Sequence, residues 1–519
     1  MFSGGAYAQS ADPRLDALER QIQALQAAHE REMRSLEGEV RALKRSLAAR
    51  DQQNAAARGG TARPVARSGG GNPALAASAT TAPGATSSSA GQAVAANPAV
   101  TQIASPYGSV SFPNGRPTFT SADGQLSASI GLQFWYDVGG FFQSGNRPAG
   151  AQQLPVWDAN LRRARVPITV QDGDVFVKVT PEFGGSPDGI FSLYEANINY
   201  TGFRDTLLTA GYYRPSLTLS DATYDEDIMF MERPSIINVA RGLAAGQSRA
   251  SLGGKTWGDQ WFLASYLTGP VAGAQEDNEA TFAQTGATLR MAGRPIATPD
   301  ADLHLGFSAS DSFRPERYAS GQTITLQDWP ELHLTSPPSD LISTGPIAAR
   351  NAYEWGPEFG ARWRNLLLQG EYIQIGVDRE QTTAVQSQQL NFSGGYLEGS
   401  WTLTGEPRLY NPTIAAFDSP IPVHPFSLSQ HQWGAFELVG RYSLTDLNDR
   451  ATAGLPETVT GGVYGGKQQI YSVGLNWYPN DNIRFMLDYD WINVDRLNPS
   501  GAQIGQTAQA LAMRIQAAY

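Results

Sequence analysis

The stretch Gln125-Leu126-Ser127-Ala128-Ser129-Ile130-Gly131-Leu132-Gln133-Phe134-Trp135-Tyr136-Asp137-Val138 decides the fold. Leu126, Ala128, Ile130, Leu132, Phe134, Tyr136 and Val138 share one face, and Gln125, Ser127, Ser129, Gly131, Gln133 and Asp137 share the other. Successive side chains of an extended strand point to opposite faces, so this period of two specifies a strand with one apolar and one polar side. Only Trp135 breaks the polar face. The same alternation returns in Ala164, Val166, Ile168 and Val170, in Val175, Val177 and Val179, and in Leu303, Leu305 and Phe307. Tyr353, Trp355, Phe359, Ala361 and Trp363 repeat it, as do Phe436, Leu438, Tyr442 and Leu444, then Tyr471, Val473, Leu475 and Trp477. It closes with Leu511, Met513, Ile515, Ala517 and Tyr519 opposite Arg514 and Gln516.

These strands follow one another from Tyr107 to Tyr519, joined by short connections such as Gly258-Asp259 and by long polar ones such as Ser312 to Arg350. A soluble sandwich also alternates, but it would have to be unusually large to use so long a continuous alternating segment. Large membrane barrels are built on that scale, with short turns at one end and long loops at the other. Aromatic residues near strand ends, including Trp355, Trp363, Trp477, Tyr478, Tyr489 and Trp491, suit the interfacial girdles of such a barrel.

Composition supports this reading. Of 519 residues, 41% are hydrophobic and only 17% charged, below the ~25% charged of ordinary soluble domains. The chain has no run of about 18 apolar residues, which excludes an ordinary helical membrane protein but not a barrel. With no Cys it has no disulfide, iron–sulfur cluster or thiolate metal site. A net charge of −11 gives no overall basic field for nucleic acid.

The N-terminal part is different. Residues 1–12, with Ala6-Tyr7-Ala8 resembling a small-x-small cleavage site, read as the remnant of a secretory leader and the mature N-terminus. Residues 13–50 read as an α-helical coiled coil, with Leu15, Leu18, Ile22 and Leu25, then Met33, Leu36, Val40, Leu43 and Leu47, along its seam. A stutter near His29 joins the two runs. The seam residues by themselves favour two strands, in conflict with any trimer; tethering to a trimeric barrel would favour three. Residues 51–106, rich in Ala, Gly, Ser, Thr and Pro, read as a flexible linker to a barrel spanning 107–519.

Within the barrel region, Leu161-Arg162-Arg163-Ala164-Arg165, Gly211-Tyr212-Tyr213-Arg214-Pro215, Phe230-Met231-Glu232-Arg233, Tyr396 to Glu406, Gly434 to Leu438, Arg441-Tyr442-Ser443, Asp446-Leu447-Asn448-Asp449 and Val473 to Pro479 occur in an order that resembles the phosphate-selective porin O and P family. The resemblance implies an all-β transmembrane antiparallel barrel of about 16 strands, a homotrimer in the lipid of the cell outer membrane, and passive passage of small anions such as phosphate. It also implies an arginine ladder and a lysine-rich constriction. Arg163 and Arg165 match the family's Arg-Arg-Ala-Arg stretch, and alternation turns them to the lumen with Lys178, Arg362, Arg364 and Arg441, whereas Arg162 falls on the opposite face. Guanidinium forks suit phosphate oxygens; the same arginines would equally serve as partners of wall carboxylates such as Glu182 or Glu195.

Two features depart from that pattern. Only Lys178, Lys255 and Lys467 follow the linker, too few for a dense lysine ring. The acidic segment Asp221 to Asp227 would favour cations if it folds inward, and would collect divalent ions if it stays outside. Catalysis has little to stand on. Five His, none paired at metal-ligand spacing, leave no metal or cofactor motif. Gly254-Lys255-Thr256 lacks the rest of a phosphate loop and reads as strand and turn, and Asp488 with Asp490 face one side of a strand, where they line a pore more economically than they serve a glycosidase. The sequence therefore predicts an outer-membrane diffusion porin with no enzymatic role. The alternative is an envelope-tethering or adhesion protein whose coiled coil contacts cell wall while a closed barrel anchors it.

Overall fold

The computed structural model describes residues 103–143, 148–185, 189–246, 248–272, 280–282, 284–318, 321–334, 340–380 and 382–519. The coiled coil expected over 13–50, residues 1–12 and most of the linker lie outside the described residues. Three residues expected in the linker, Ile103–Ser105, form a strand paired with Gly108–Ser111.

Sixteen antiparallel strands close into a barrel. In chain order they are Gln133–Gln143, Asp158–Arg165 continued by Ile168–Asp172, Val175–Glu182, Ser192–Tyr200, Thr206–Tyr213, Arg249–Trp257, Trp261–Val271, Thr285–Ala297, Ala301–Arg314, Ile347–Trp363, Leu366–Arg379, Gln389–Thr402, Ala435–Asp449, Val463–Asn480, Ile483–Asp495 and Thr507–Ala518. Each pairs with its neighbour, and the last closes on the first from Ala508↔Gln143 to Ala518↔Gln133. No helix among the described residues is long and apolar enough to cross a membrane; closure lets strands cross because every ladder group finds a partner and no edge remains.

The alternation has the expected sense. Phe134, Tyr136, Leu305, Trp355, Leu397, Leu438, Val473 and Leu511 are exposed on the outer surface, while Asp137, Arg290, Glu358, Ser472, Asp488 and Arg514 are buried on the inner one. Trp261, Trp363, Trp401 and Trp433 mark the short-turn end of the outer surface, and Trp355, Tyr471 and Trp491 stand farther along their strands. Trp355 and Trp363 are eight residues apart on one strand, about 26 Å at ~3.3 Å per residue, comparable with the ~25 Å apolar band of membrane barrels. Tyr478, expected in this girdle, instead points inward and donates its hydroxyl to Glu437 Oε2 at 2.7 Å.

Three long connections turn into the lumen: 214–248 and 315–346 from the long-loop end, and 403–434 from the short-turn end. The connection at 315–346 is not the polar loop its length suggested. Its Leu326, Leu332, Leu334, Leu341 and Ile342 pack with the helix Ser235–Ala244 against inward-facing Ile373, Ile375, Leu390 and Phe392. Gly394 makes room for that helix: a Cβ there would come within 2.9 Å of Ile236 Cγ1 and 2.3 Å of Leu444 O.

Candidate functional site

The segment 214–248 begins where the strand Thr206–Tyr213 ends ahead of Pro215. Thr218 Oγ1 accepts a hydrogen bond from Asp221 N at 3.1 Å and caps the turn Leu219–Ala222. Irregular backbone inside a barrel must still satisfy its polar groups, and the wall supplies the partners. Glu371 accepts from Leu219 N and Ser220 N at 2.7 and 2.9 Å, Asp488 from Met231 N at 2.8 Å, and Glu331 of the second inward segment from Ser235 N at 2.8 Å. In the opposite sense, Arg484 donates to Ile228 O and Met229 O at 2.7 and 2.9 Å, Arg441 to Glu232 O at 2.9 Å, and Arg514 to Met231 O. Wall carboxylates thus take the segment's N–H groups and wall arginines its carbonyls.

The segment 403–434 meets it from the other end. Its hairpin, Tyr410–Asn411 against Ala416–Phe417, is held by Arg290, which donates to Ile414 O and Ala415 O at 2.6 and 2.8 Å and pairs with Glu358 at 2.9 Å. Arg408 donates to Asp227 O at 2.7 Å, and Ser419 N donates to Asp227 Oδ1 at 3.0 Å. The acidic stretch Asp221–Asp227 therefore faces the lumen and contacts segment 403–434.

The six residues expected on an anion path do not form one row. Arg165 is 1% exposed and pairs with Glu182 and with Asp225, the latter at 2.9 Å. Arg163 lies 5.7 Å from the Trp135 ring centroid, with its nearest carboxylate, Glu182, at 4.0 Å. Lys178 pairs with Glu195 at 2.8 Å and stays partly exposed. Arg441 pairs with Glu331, and Arg362 with Asp302 near the short-turn end. Arg364 is displaced from the expected face: the strand stops at Trp363, Arg364 occupies the turn with φ 53°, and its side chain is 64% exposed. Arg162, expected to face outward, is buried on the inside and forms a two-bond pair with Glu232. The register shifts between Trp135 and Tyr136, which oppose Arg163 and Leu161, so Arg162 is the extra residue of a bulge that turns two successive arginines inward.

A cavity of 450 Å³ lies between segment 214–248 and the inner faces of Val175–Glu182 through Trp261–Val271. Its basic lining residues are Arg116, Arg165, Lys178, Arg214 and Lys255; the acidic ones are Glu195, Asp221, Asp225 and Glu226. The parity of Lys255 on its strand was legible in the sequence; the place of Arg214, just past a strand end, was not. Burial pushes the Asp225 carboxyl up, but the guanidinium groups of Arg214, Arg233 and Arg165 outweigh it and hold the group well below the usual carboxylate range. Burial, followed by the neighbouring Asp227 charge, pushes Glu226 up to about 7, and the same two causes raise Asp418 to about 7. No group of three or more His, Asp or Glu among the described residues could hold a metal ion.

A closed barrel with an apolar outer band, and with its lumen narrowed by segments folded in from both ends, defines a channel of the outer membrane. This chain belongs to the phosphate-selective porin O and P family, whose model matches residues 129–519. Porin O of Pseudomonas aeruginosa is 24% identical over 326 residues, 60% of this chain and 70% of its own length. An uncharacterized protein of Caulobacter vibrioides is 28% identical over 401 residues, 74% of this chain and 72% of its own. Among solved structures, an anion-selective porin from Comamonas acidovorans shares 10% identity at a TM-score of 0.44, over 76% of this chain and all of that one.

Proposed function

We propose that the barrel passes small anions, phosphate included, by passive diffusion, with a weaker preference than a dense lysine ring would give. The observation that carries this reading is the lining of the 450 Å³ cavity, where five basic residues face four acidic ones. The excess of one positive charge biases the polar lumen weakly toward anions without excluding cations. Arg163, Arg165 and Lys178 contribute near the cavity, while Arg362 and Arg441 lie elsewhere in the barrel, each paired with a carboxylate. The working assembly is a homotrimer, as the family resemblance implies, and an unboiled detergent gel should show it at three times the chain mass.

The test is the zero-current potential of the protein in a planar bilayer under a salt gradient. Lys178→Glu should move that potential toward cation selectivity, more so at low salt, where screening reaches beyond the ~8 Å of physiological ionic strength. Arg364→Glu, on an exposed turn, should leave it unchanged. Equal shifts from both variants would mean that overall charge, and not the lumen lining, sets the preference.

A further inference from the structure

Lys255 differs from the other cations of the cavity. Arg165 and Arg214 share Asp225, Lys178 holds Glu195, and Arg116 donates to Tyr519 O at 3.1 Å. Lys255 has neither a hydrogen bond nor an ion pair among the described residues; its ammonium stands 5.7 Å from the Trp257 ring centroid. Its cross-strand neighbours are Leu207 on one side and Ala264 on the other. Beyond them, Tyr213 and Tyr266 meet edge to face with centroids 5.7 Å apart and join Phe262, Ala264 and Ala415 of the 403–434 hairpin in a buried apolar cluster. Leu207, Tyr213 and Tyr266 line the same cavity as Lys255. The hairpin covers part of this cluster, and Leu207 with the two tyrosine rings leaves a carbon edge on the cavity beside the ammonium.

Resting on the anion-channel reading above, we propose that this part of the cavity is a binding subsite for small carboxylates with a flat apolar body, benzoate being the simplest. One ammonium without a counter-ion satisfies one carboxylate. The ring then displaces water from Leu207 and the tyrosine pair, a gain that an inorganic anion cannot make. Phosphate, with oxygens on every side, needs several donors at once, and the cross-strand neighbours of Lys255, Leu207 and Ala264, offer carbon. The site lies between segment 214–248 and the short-turn mouth, because Lys255 is two residues from the end of its strand and Leu207 one residue from the start of its own. A solute held there has passed the narrowing and is released on the short-turn side.

The test is current blocking by benzoate, with inorganic phosphate at equal concentration as the comparison, on the full-length protein in a planar bilayer carrying chloride current. Benzoate should interrupt the current for several-fold longer than phosphate. Lys255→Met should abolish those interruptions, Lys255→Arg should keep them, and Leu207→Asn should shorten benzoate events while leaving phosphate events unchanged. Folding of each variant is checked by heat-modifiable gel migration, and Leu207→Asn gives the answer if Lys255→Met does not assemble. In a channel that still prefers chloride to potassium, benzoate events no longer than those of phosphate would overturn the subsite and leave the anion reading standing. Preference for potassium, with no events from either anion, would overturn both.

Discussion

The two sides of the lumen are built from the same kind of strand and filled differently. Along Leu366–Arg379 and Gln389–Thr402 the inward residues toward the long-loop end are Ile373, Ile375, Val377, Leu390 and Phe392, all buried under the helix Ser235–Ala244. Along Val175–Glu182, Ser192–Tyr200 and Arg249–Trp257 the inward residues include Lys178, Asn197, Asn199 and Lys255, and they line the cavity. One side is a protein core and the other a channel wall. Facing the lumen is therefore not the same as lining the pore: whichever wall an inward segment covers becomes core, and solutes are left with the opposite wall.

The largest effect should come from removing the contact that ties the segment to the wall of the hollow side. Asp225 is 3% exposed and bonds Arg165, Arg214 and Arg233. Breaking buried pairs by deleting one partner costs about 3–5 kcal/mol. Asp225→Ala should release the segment, raise single-channel conductance several-fold and make the current noisy. Unchanged conductance, with the segment still resistant to protease, would show that the filled side alone holds it and would break the comparison.

Next in size is a matched pair of truncations. Phe392→Ala on the filled side should lower stability by about 3–5 kcal/mol, the cost of emptying a packed core, and should reduce the temperature at which the folded form migrates in heat-modifiable gels. Thr209→Ala on the hollow side, where Thr209 Oγ1 donates to Asn199 Oδ1 at 2.8 Å, should cost about 1 kcal/mol. Equal losses would mean that the two walls are packed alike.

The smallest expected effect is a pH dependence where segments 214–248 and 403–434 meet. Glu226 and Asp418, each pushed up to about 7 by burial and by Asp227, titrate above the ~4 of free carboxyls. A carboxyl whose folded value is raised binds its proton more tightly in the folded state, so its contribution is fully present below about pH 4. That contribution falls as pH rises from there through 7. Contact between the segments should accordingly loosen between pH 5 and 8, giving more current noise and, as charge enters the cavity, a weaker anion preference. Glu226→Gln should flatten both trends; a profile that steepens instead would place the titrating group elsewhere.

Much of this architecture was readable from residue order. The outward rows at Leu126–Tyr136, Leu303–Phe307 and Leu511–Ile515 were assigned by parity alone, because a membrane outside and a polar lumen inside impose opposite chemistry on alternate residues. Parity also placed Arg165 and Arg441 inward. It failed at Arg162, where a bulge adds one residue, and at Arg364, where the strand had already ended; both depend on the partner strand, which a single-strand pattern does not contain. The helix Ser235–Ala244 was missed although Ile236, Ile237, Ala240, Leu243 and Ala244 carry a helical apolar spacing, since nothing in that spacing says that its partner surface is the inside of a barrel.

The sequence by itself determined the class of fold, the lipid-facing surface and the family, since each rests on local periodicity or on short ordered motifs. Tertiary structure alone decided which inward residues meet solvent. That choice depends on where three connections fold back and on backbone partners supplied from strands hundreds of residues away, such as Asp488 for Met231 and Arg514 for the Met231 carbonyl. An arginine has the same place in the alternation whether it waits for an anion or holds a loop. Only the carboxylate or carbonyl it meets in three dimensions tells the two apart.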